Sequence, residues 1–592
     1  MDAHRLSTVT KAIRRTQIWY AVLFIIMVIF GIRLFYVQVI HYQYYHTAAL
    51  SNQLKQYQIP ATRGIIEAHE GNTIVPIVLN QPLYTLYADP TMVKNVSKDA
   101  SIVTSVIGGN AATFQTEMLT KNTRYVVLGY KLTAAQNHAI LNYKLPGIGT
   151  QELDYRTYPQ GSIASQLLGF VNDSGQGEYG VEQALNTELS GTPGTLKAIT
   201  DANGVPLVAS SGNIETQPVA GDNVVLTLDM GMQTQMETIL QNEAKNTKSH
   251  LLSAIIMDPN TGQIKAMANY PTYNPSDYES VTDPTLFLNA AVDNPIEPGS
   301  SMKTLTTSAA LDQGVIQPNT TFYDPAHWVV DGFNITDIEQ DGGPRVQSIA
   351  SILSLSLNTG ATWMLMQMGG GQINAKAIET WHNYMVNRFR LGQTTGIEQG
   401  YEASGYVPPA DLSQPAIDLT YANTAFGQGV TLTALQLGAA FSSVLNGGTY
   451  YQPTLVDQTI SADGIATINK PKILETHVVG PNIGSEMVPL LENVVTTYYH
   501  EGFSFMNFSP NYIVGGKTGT AQIASPTGGY YPNLYNGTYI GFVGGDKVQY
   551  LIVVFNIEPT VPGYAGAYGG QPVFADLAHM LINDGYVAPK SP

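Results

Sequence analysis

Residues 514–522 of this chain read VGGKTGTAQ, in which two glycines precede the motif Lys517-Thr518-Gly519-Thr520 and a third lies within it. Small residues on a strand leave room for the backbone of an extended ligand to lie alongside it. The run therefore predicts a strand with a ligand-binding edge. The plainer alternative is a lysine at the edge of a strand, just before a turn.

A second stretch, EPGSSMK at residues 297–303, contains a hydroxyl and an amine that could act together. A serine and a lysine three positions apart at a helix start face the same way, which brings the amine of Lys303 to the hydroxyl of Ser300. No other Ser-x-x-Lys occurs in the chain. Pro298 and Gly299 predict a break followed by a helix start, with Ser300 near its positive end. The alternative is a serine that caps a surface helix beside a solvated lysine.

A third motif, Ser356-Leu357-Asn358, lies between these two in the chain and is less specific. The triplets at 211–213 and 509–511 fit the same Ser-x-Asn pattern. Position 356 is favoured by its context, because the preceding SIASILSL run is typical of a helix. We expect Thr359 and Gly360 to end that helix, so that Ser356 and Asn358 fall on a turn.

The N-terminal region predicts a membrane anchor. Residues 18–40 form a mainly apolar run whose only charged residue is Arg33, and it would span about 35 Å as a helix, enough to cross a bilayer. Residues 1–17 contain four basic side chains before this run, which predicts a cytoplasmic N-terminus and an exported body. A cleaved signal peptide is the alternative, but bulky residues follow the run where a small-residue cleavage site should lie.

The exported part divides into two regions that differ in their pattern of strand-like, helical and turn residues. Residues 41–60 predict a polar, helical stalk, and residues 61–240 mix short β-branched runs with Gly and Pro turns, which predicts an extended α+β pedestal module over 41–240. Residues 241–592 have strand-like runs at both ends and helical stretches between them. This order predicts one α/β domain whose sheet is completed by the C-terminus.

Composition excludes several classes of function. The net charge is -17 and the basic residues of the N-terminus make the body more acidic still, which argues against nucleic acid as a partner. The chain has no cysteine, so disulfides, thiolate catalysis and cysteine metal sites are excluded. The sequence contains no His-Glu-x-x-His, Walker A or Gly-x-Ser-x-Gly motif, so we expect neither a metal nor a cofactor.

The order Ser-x-x-Lys, Ser-x-Asn, Lys-Thr-Gly resembles that of penicillin-binding proteins and serine β-lactamases. Over nearly the whole chain after residue 18, the sequence is similar to class B high-molecular-weight penicillin-binding proteins, the monofunctional peptidoglycan D,D-transpeptidases. Further segments carry the resemblance: RGII at 63–66, YPQG at 158–161, LSGTPG at 189–194, FGQGV at 426–430 and YGGQPVF at 568–574.

The GQGV segment and NGG at 446–448 are more similar to septal, division-type members than to elongation-type members. Two departures weaken that subtype: Ala434 stands where Pro is usual, and EAHEG at 67–71 replaces the usual Asp-Arg-Asn-Gly turn. The resemblance implies a membrane anchor, a pedestal and a penicillin-binding transpeptidase domain related in fold to serine β-lactamases.

The resemblance also implies a serine acyl-enzyme mechanism. Ser300 would attack the carbonyl of the penultimate D-Ala of a stem pentapeptide and expel the terminal D-Ala. Lys303 would be the general base, which requires an amine whose pKa is lowered by burial and by the charge of Lys517. Ser356 would relay the proton to the leaving amine, and Asn358 would hydrogen-bond the donor peptide.

For the substrate, the resemblance implies that Lys517, Thr518, Gly519 and Thr520 line the site, with the two threonines on the terminal carboxylate. The backbone N–H groups of Ser300 and Thr520 would form the oxyanion hole. The implied partners are the stem pentapeptide, β-lactam antibiotics, the bacterial cytoplasmic membrane and a multi-span glycan polymerase.

Four alternatives share the same motifs or the same machinery. An elongation-type transpeptidase differs only in its cellular role. A β-lactamase would hydrolyse its acyl-enzyme and seldom carries a long pedestal and an anchor. A β-lactam sensor usually has several membrane spans and a cytoplasmic signalling portion, for which the short segment before the anchor is too small. A catalytically dead scaffold is disfavoured by the intact Ser300, Lys303, Ser356 and Lys517.

Overall fold

The computed structural model describes residues 2–45, 54–199, 214–337, 344–526 and 528–592. The chain forms two compact units. The first comprises residues 1–62 and 191–220, and the second comprises residues 63–190 and 221–592. Each unit is described by itself below.

The first unit contains the anchor helix, Asp2–Phe35, which continues as one π-helical turn, Tyr36–Ile40. Within it Thr16–Ile40 is long and apolar enough to cross a membrane. The apolar side chains from Ile18 to Ile40 are largely exposed, as expected for a helix whose surroundings are lipid.

The remainder of the first unit is an antiparallel three-stranded sheet formed by Leu54–Ile59, Gly194–Ile199 and Ile214–Thr216. The predicted helical stalk over 41–60 is wrong at Leu54–Ile59, and residues 46–53 lie outside the described part. The strand forms because Leu54 pairs with Ile199 and Ile59 with Gly194. A partner so distant in the chain cannot be recognised from the local polar composition.

In the second unit, the pedestal is built on a seven-stranded sheet with three helices packed against it. The helices are Val96–Ile107, Ala111–Met118 and Ala134–Asn142. Five strands come from the predicted pedestal: Ile66–Glu70, Thr73–Ala88, Val126–Leu132, Ile148–Thr157 and Asn223–Asp229. The other two, Val456–Ile460 and Ala466–Ile468, come from the C-terminal half. The sequence did not predict that these two regions share a sheet.

Short elements complete the pedestal. The helices are Ser165–Leu168, Gly180–Ala184 and Asn186–Ser190, and the two-stranded pair is Phe170–Val171 with Gly177–Glu178.

The central sheet of the second unit has five antiparallel strands in the order Ile264–Tyr270, Leu251–Met257, Val548–Ile557, Tyr530–Gly544, Ile513–Ala524. Strands from the two ends of the predicted α/β domain meet directly, with Leu252 opposite Asn556. The prediction that the C-terminus completes the sheet is therefore confirmed. Ile513–Ala524, which contains the Lys-Thr-Gly motif, is an edge strand.

Helices cover both faces of the central sheet, because its side chains alternate between two apolar cores. Ala254 and Ile256 face the helices Met230–Thr247 and Gln571–Asn583, whereas Ile255 and Met257 face the larger helical core. The helices of that larger side are Ala290–Asp293, Lys303–Asp312, Ile349–Ser354, Asn358–Met368, Ala375–Asn383, Ile417–Thr424, Ala434–Leu445 and Ile483–His500.

Three two-stranded pairs lie outside the central sheet: Thr321–Asp324 with Arg345–Ser348, His327–Val330 with Phe333–Thr336, and Thr449–Tyr451 with Ile473–Thr476. Single 3₁₀ or π-helical turns are Pro275–Ser280, Pro284–Phe287, Gly299–Met302, Tyr384–Arg388, Ser504–Met506 and Gly566–Gly570.

Candidate active site

Ser300 lies on the 3₁₀ turn Gly299–Met302, which leads directly into the helix Lys303–Asp312, here called the serine helix. Gly299 has a φ of 57°, and a Cβ atom there would lie 2.7 Å from the backbone oxygen of Thr520. Only glycine tolerates both that backbone conformation and that contact. The glycine thus allows the start of the serine helix to lie directly against the edge strand. The helix start that the Pro298-Gly299 break predicted is present.

Lys303 is fully buried one turn after Ser300, and its amine contacts four oxygen atoms. Its Nζ lies 3.0 Å from Ser300 Oγ, 2.5 Å from the Ser356 carbonyl oxygen, 2.8 Å from Asn358 Oδ1 and 3.4 Å from Ser356 Oγ. A neutral amine has two N–H groups and one lone pair. The two carbonyl oxygens can only accept, so they take the two N–H groups and leave the lone pair for the hydroxyl of Ser300.

Burial and the nearby ammonium group of Lys517 hold the pKa of Lys303 well below its ordinary value, although the carboxylate of Asp337 acts in the opposite direction. The environment therefore favours a neutral amine, and the hydrogen-bond geometry is compatible with one. Such a group can accept a proton from Ser300.

Ser356 lies in the turn between the helices Ile349–Ser354 and Asn358–Met368, with a φ of 58°. The expectation that Thr359 and Gly360 end a helix is wrong, because both belong to the first turn of the second helix. The break occurs before them, at 355–357, and Gly360 packs so closely that a side chain there would collide with Ile352. Ser356 nevertheless falls on a turn, as predicted, whereas Asn358 is the first residue of the second helix.

Lys517 is also fully buried, and the hydroxyl of Ser356 lies between its amine and that of Lys303. Its Nζ donates to Ser356 Oγ at 2.9 Å, to the Thr518 carbonyl oxygen at 3.1 Å and to Thr518 Oγ1 at 3.3 Å. Three acceptors match the three N–H groups of an ammonium ion. Burial lowers the pKa of Lys517 to about 7.

Asn358 is fixed at both ends of its amide. Its Nδ2 donates to the Thr336 carbonyl oxygen at 3.1 Å, so its Oδ1 faces the amine of Lys303. One N–H of the amide and one lone pair of its oxygen are left for a substrate. Asn358 thus belongs to the environment of Lys303 as well as to the site that the motif predicted.

The two threonines of the Lys-Thr-Gly strand lie on the same face, two residues apart. Thr518 Oγ1 lies 2.9 Å from the hydroxyl of Tyr498, and Thr520 Oγ1 accepts the backbone N–H of Gly566 at 2.9 Å. Because its oxygen is the acceptor there, the Thr520 hydroxyl keeps its own proton for a ligand. Gly519 allows close packing, since a Cβ atom there would lie 2.3 Å from the Pro298 carbonyl oxygen.

The structure therefore brings the three motifs into one cluster: Ser300, Lys303, Ser356, Asn358, Lys517, Thr518, Gly519 and Thr520. Its amines and hydroxyls form a hydrogen-bonded chain that runs from Lys517 through Ser356 and Lys303 to the Ser300 hydroxyl, beside a strand edge. In the part of the chain that the structure describes, neither lysine forms an ion pair with a carboxylate.

Residues 252–579 match the family described as the penicillin binding protein transpeptidase domain, which is more than half of the chain. The chain belongs to the penicillin-binding protein transpeptidase family. Residues 58–226 match a second family, the penicillin-binding protein dimerisation domain, which covers the pedestal. The predicted family and fold class, a pedestal followed by a transpeptidase domain, are confirmed.

Two curated relatives of this penicillin-binding protein cover most of its length. The stage V sporulation protein D of Bacillus subtilis is 30% identical over 593 residues, which is 99% of this chain and 88% of the relative. The peptidoglycan D,D-transpeptidase FtsI of Escherichia coli is 26% identical over 546 residues, which is 91% of this chain and 86% of the relative.

Among solved structures, penicillin binding protein 3 of Mycobacterium tuberculosis in complex with aztreonam is similar to this penicillin-binding protein. It has a TM-score of 0.66 and 25% identity, and the match covers 90% of this chain and 98% of the other.

Several residues around the site carry no motif and were missed by sequence reasoning. Asp337 accepts two hydrogen bonds from Thr359, and Tyr498 contacts Thr518. Glu297 accepts the backbone N–H of Gly429 at 2.9 Å and the hydroxyl of Tyr530 at 3.0 Å. Only Glu297 had a signal in the sequence, because it directly precedes the Pro-Gly-Ser segment.

Within residues 2–45, 54–199, 214–337, 344–526 and 528–592, no group of three His, Asp or Glu side chains is arranged to hold a metal ion. All the acid–base groups of the site described above are side chains of the protein itself.

Proposed function

We propose that this penicillin-binding protein is a septal peptidoglycan D,D-transpeptidase, with Ser300 as the nucleophile and Lys303 as the general base. Its enzyme class follows from its family, and the related FtsI carries the name of a peptidoglycan D,D-transpeptidase. The observation that carries the residue assignment is the hydrogen-bond pattern of Lys303, whose two N–H groups are taken by carbonyl oxygens while its lone pair faces Ser300.

In the first step, Ser300 Oγ forms a bond to the carbonyl carbon of the penultimate D-Ala of a stem pentapeptide, and its proton passes to Lys303. The tetrahedral intermediate carries a negative oxygen, which backbone N–H groups of Ser300 and Thr520 stabilise. These backbone segments are adjacent, because a Cβ atom on Gly299 would lie 3.0 Å from the Thr520 nitrogen.

The intermediate collapses when the C–N bond to the terminal D-Ala breaks and the leaving nitrogen takes a proton. Ser356 is the relay for that proton, because its Oγ lies 3.4 Å from Lys303 Nζ and 2.9 Å from Lys517 Nζ. In the second step, an amine of another stem peptide attacks the acyl-enzyme, and the same groups return the proton to Ser300.

The donor peptide is bound along the free edge of the strand Ile513–Ala524, where its backbone extends the central sheet. Thr518 and Thr520 hydrogen-bond its terminal carboxylate, and Lys517 supplies positive charge. That carboxylate favours the charged form of Lys517, whose pKa of about 7 leaves it partly neutral in the free enzyme near neutral pH. Asn358 offers its remaining N–H to a carbonyl of the donor.

The proposed arrangement in the cell has residues 1–17 in the cytoplasm, residues 18–40 in the membrane, a pedestal over 41–240 and a transpeptidase domain over 241–592 outside. The basic residues before the anchor helix support this orientation. Protease digestion of the body in intact spheroplasts tests it. We assign the pedestal a docking role toward a multi-span glycan polymerase.

The experiment that tests the residue assignment is intact-protein and peptide mass spectrometry after incubation with a β-lactam and, separately, with a stem pentapeptide and an amine acceptor. We expect a stable β-lactam adduct on Ser300, and crosslinked product with release of D-Ala. Ser300→Ala removes both, whereas Ser301→Ala retains the adduct.

An adduct on another residue contradicts the assignment. Rapid release of hydrolysed β-lactam without crosslinked product identifies a β-lactamase, and a permanent adduct without any turnover of the pentapeptide identifies a sensor or scaffold. Depletion in the native organism separates the cellular roles. Filaments are expected for a septal enzyme, and rounded cells indicate an elongation-type enzyme.

A further inference from the structure

The helix Asn358–Met368 begins with Asn358 of the active site, yet the residue that precedes it provides no side-chain cap. Leu357, which precedes the helix, has an apolar side chain and makes no side-chain hydrogen bond to the first turn. An uncapped helix start next to a reaction centre would leave the backbone N–H groups there without partners.

Asp337 provides the missing cap from a distant part of the chain. Its Oδ1 accepts the Thr359 backbone N–H at 3.0 Å, and its Oδ2 accepts the Thr359 hydroxyl at 2.5 Å. Thr359 is fully buried and Asp337 is half-buried, so this two-point contact is partly shielded from solvent. A carboxylate at a helix N-terminus is also favoured by the helix dipole.

The strand pair His327–Val330 and Phe333–Thr336 forms two further hydrogen bonds to the first turn of this helix. The Thr336 carbonyl oxygen accepts the Asn358 side chain, and Trp328 Nε1 donates to the Thr359 carbonyl oxygen at 3.0 Å. The orientation of the Asn358 amide, and thus the acceptor that it presents to Lys303, is set by this segment of 327–337.

We propose that Asp337 is a positioning residue for the acylation reaction: it fixes Asn358 as a hydrogen-bond acceptor for Lys303, and its negative charge opposes that of Lys517 at the amine. This inference rests on the proposed role of Lys303 as the general base. Asp337 itself does not touch Ser300, and acts through the first turn of the helix.

The charged groups around Asp337 support this role. The helix that it caps carries no charged residue. Asp324, on the strand Thr321–Asp324, is fully buried, and its burial together with the charge of Asp337 raises its pKa. Asp337 is the carboxylate that raises the pKa of Lys303 against the effects of burial and Lys517.

The test is the pH profile of single-turnover acylation by a chromogenic β-lactam, measured on the full chain. Asp337→Asn keeps the size of the side chain and an acceptor for Thr359 but removes the charge. The pKa of Lys303 should fall, so the acid limb should move to lower pH, by up to about 1 on the pH scale. Asp331→Asn is the matched control, because Asp331 lies on the same segment and accepts the backbone N–H of Leu419. The acid limb of the Asp331→Asn profile should stay at the native pH.

Thr359→Val tests the positioning part separately, because it removes the hydroxyl that donates to Asp337 and keeps the charge. We expect a lower acylation plateau with an unmoved acid limb, in a protein whose melting temperature stays within a few degrees of the native value. This variant also keeps the proposal testable where Asp337→Asn does not fold.

An Asp337→Asn profile with the native acid limb, or a native plateau in Thr359→Val, overturns the proposal. The Ser300 adduct is measured on every sample. Its presence together with an unmoved limb rejects only the role of Asp337, whereas its absence from the native protein rejects the proposed function itself.

Discussion

Two clusters of ionisable side chains are buried in the second unit, and they differ in how their charges are compensated. In the pedestal, Glu182 is fully buried between Arg63 and Arg156, with closest N–O distances of 2.6 Å to each. In the transpeptidase region, Lys303 and Lys517 share Ser356 as a bridge, and both amines lie among neutral oxygens.

The difference between the clusters explains their different uses. Each guanidinium of the pedestal faces the same carboxylate in excellent geometry, so these ion pairs join separate segments of the chain. A buried lysine without a carboxylate lowers its free energy by losing its proton. The first cluster therefore stabilises the fold, whereas the second is suited to the proposed role of Lys303 as a proton acceptor.

The largest expected effect comes from removing the base. Lys303→Met keeps most of the side-chain volume but has no proton acceptor, so the acylation rate at Ser300 should fall on the order of 10²–10⁴-fold. Stability should not fall much, because an apolar side chain replaces a buried amine. Stopped-flow acylation and thermal melting measure the two effects, with Lys547→Met as a control at an exposed lysine. Acylation at the native rate would show that Lys303 is not the base.

The opposite pattern is expected in the pedestal. Glu182→Gln leaves Arg63 and Arg156 buried without an anionic partner, which should cost about 3–5 kcal/mol of unfolding free energy. The acylation rate of the folded fraction should stay close to the native rate, since Glu182 lies outside the catalytic cluster.

Chemical denaturation measures this loss, and Glu188→Gln is the control because Glu188 is an exposed residue close by in the same segment. A large loss of acylation without a loss of stability would mean that the pedestal cluster takes part in catalysis, and would remove the distinction between the two clusters.

The sequence was sufficient to predict that the three motifs lie together, but not to predict the residues that surround them. Ser300 and Lys303 are three positions apart at the start of one helix, and Lys517 is in a strand of small residues, so local spacing already indicates their geometry. Ser356 was placed on a turn for a partly wrong reason, because Thr359 and Gly360 have low intrinsic helix propensity but are helical in this packing.

Contacts between distant segments could not be predicted. Asp337 caps a helix that begins more than twenty residues later, and its own neighbourhood contains no motif. Val456–Ile460 joins the pedestal sheet by pairing with Asn223–Asp229, although the two strands are far apart in the chain. Both features depend on tertiary structure that no local periodicity reports.

The smallest expected effect is a shift of the acylation pH profile in Lys517→Met. It tests most directly the claim that two buried lysines without a carboxylate in an ion pair activate Ser300. Lys517→Met removes the ammonium group that helps burial to depress the pKa of Lys303. The pKa of Lys303 should therefore rise, Lys303 should stay protonated to higher pH, and the acid limb of the acylation profile should move upward. A tenfold change in the proton affinity of Lys303 corresponds to about 1.4 kcal/mol between its two protonation states, which such a profile resolves.

The measurement is single-turnover acylation by a chromogenic β-lactam across the neutral pH range, compared between the native protein, Lys517→Met and the control Lys547→Met. The predicted result is an upward shift of the acid limb in Lys517→Met alone, together with a lower plateau from weaker carboxylate binding. An acid limb that stays in place, or that moves to lower pH, would contradict the coupling of the two lysines and the assignment of Lys303 as the base.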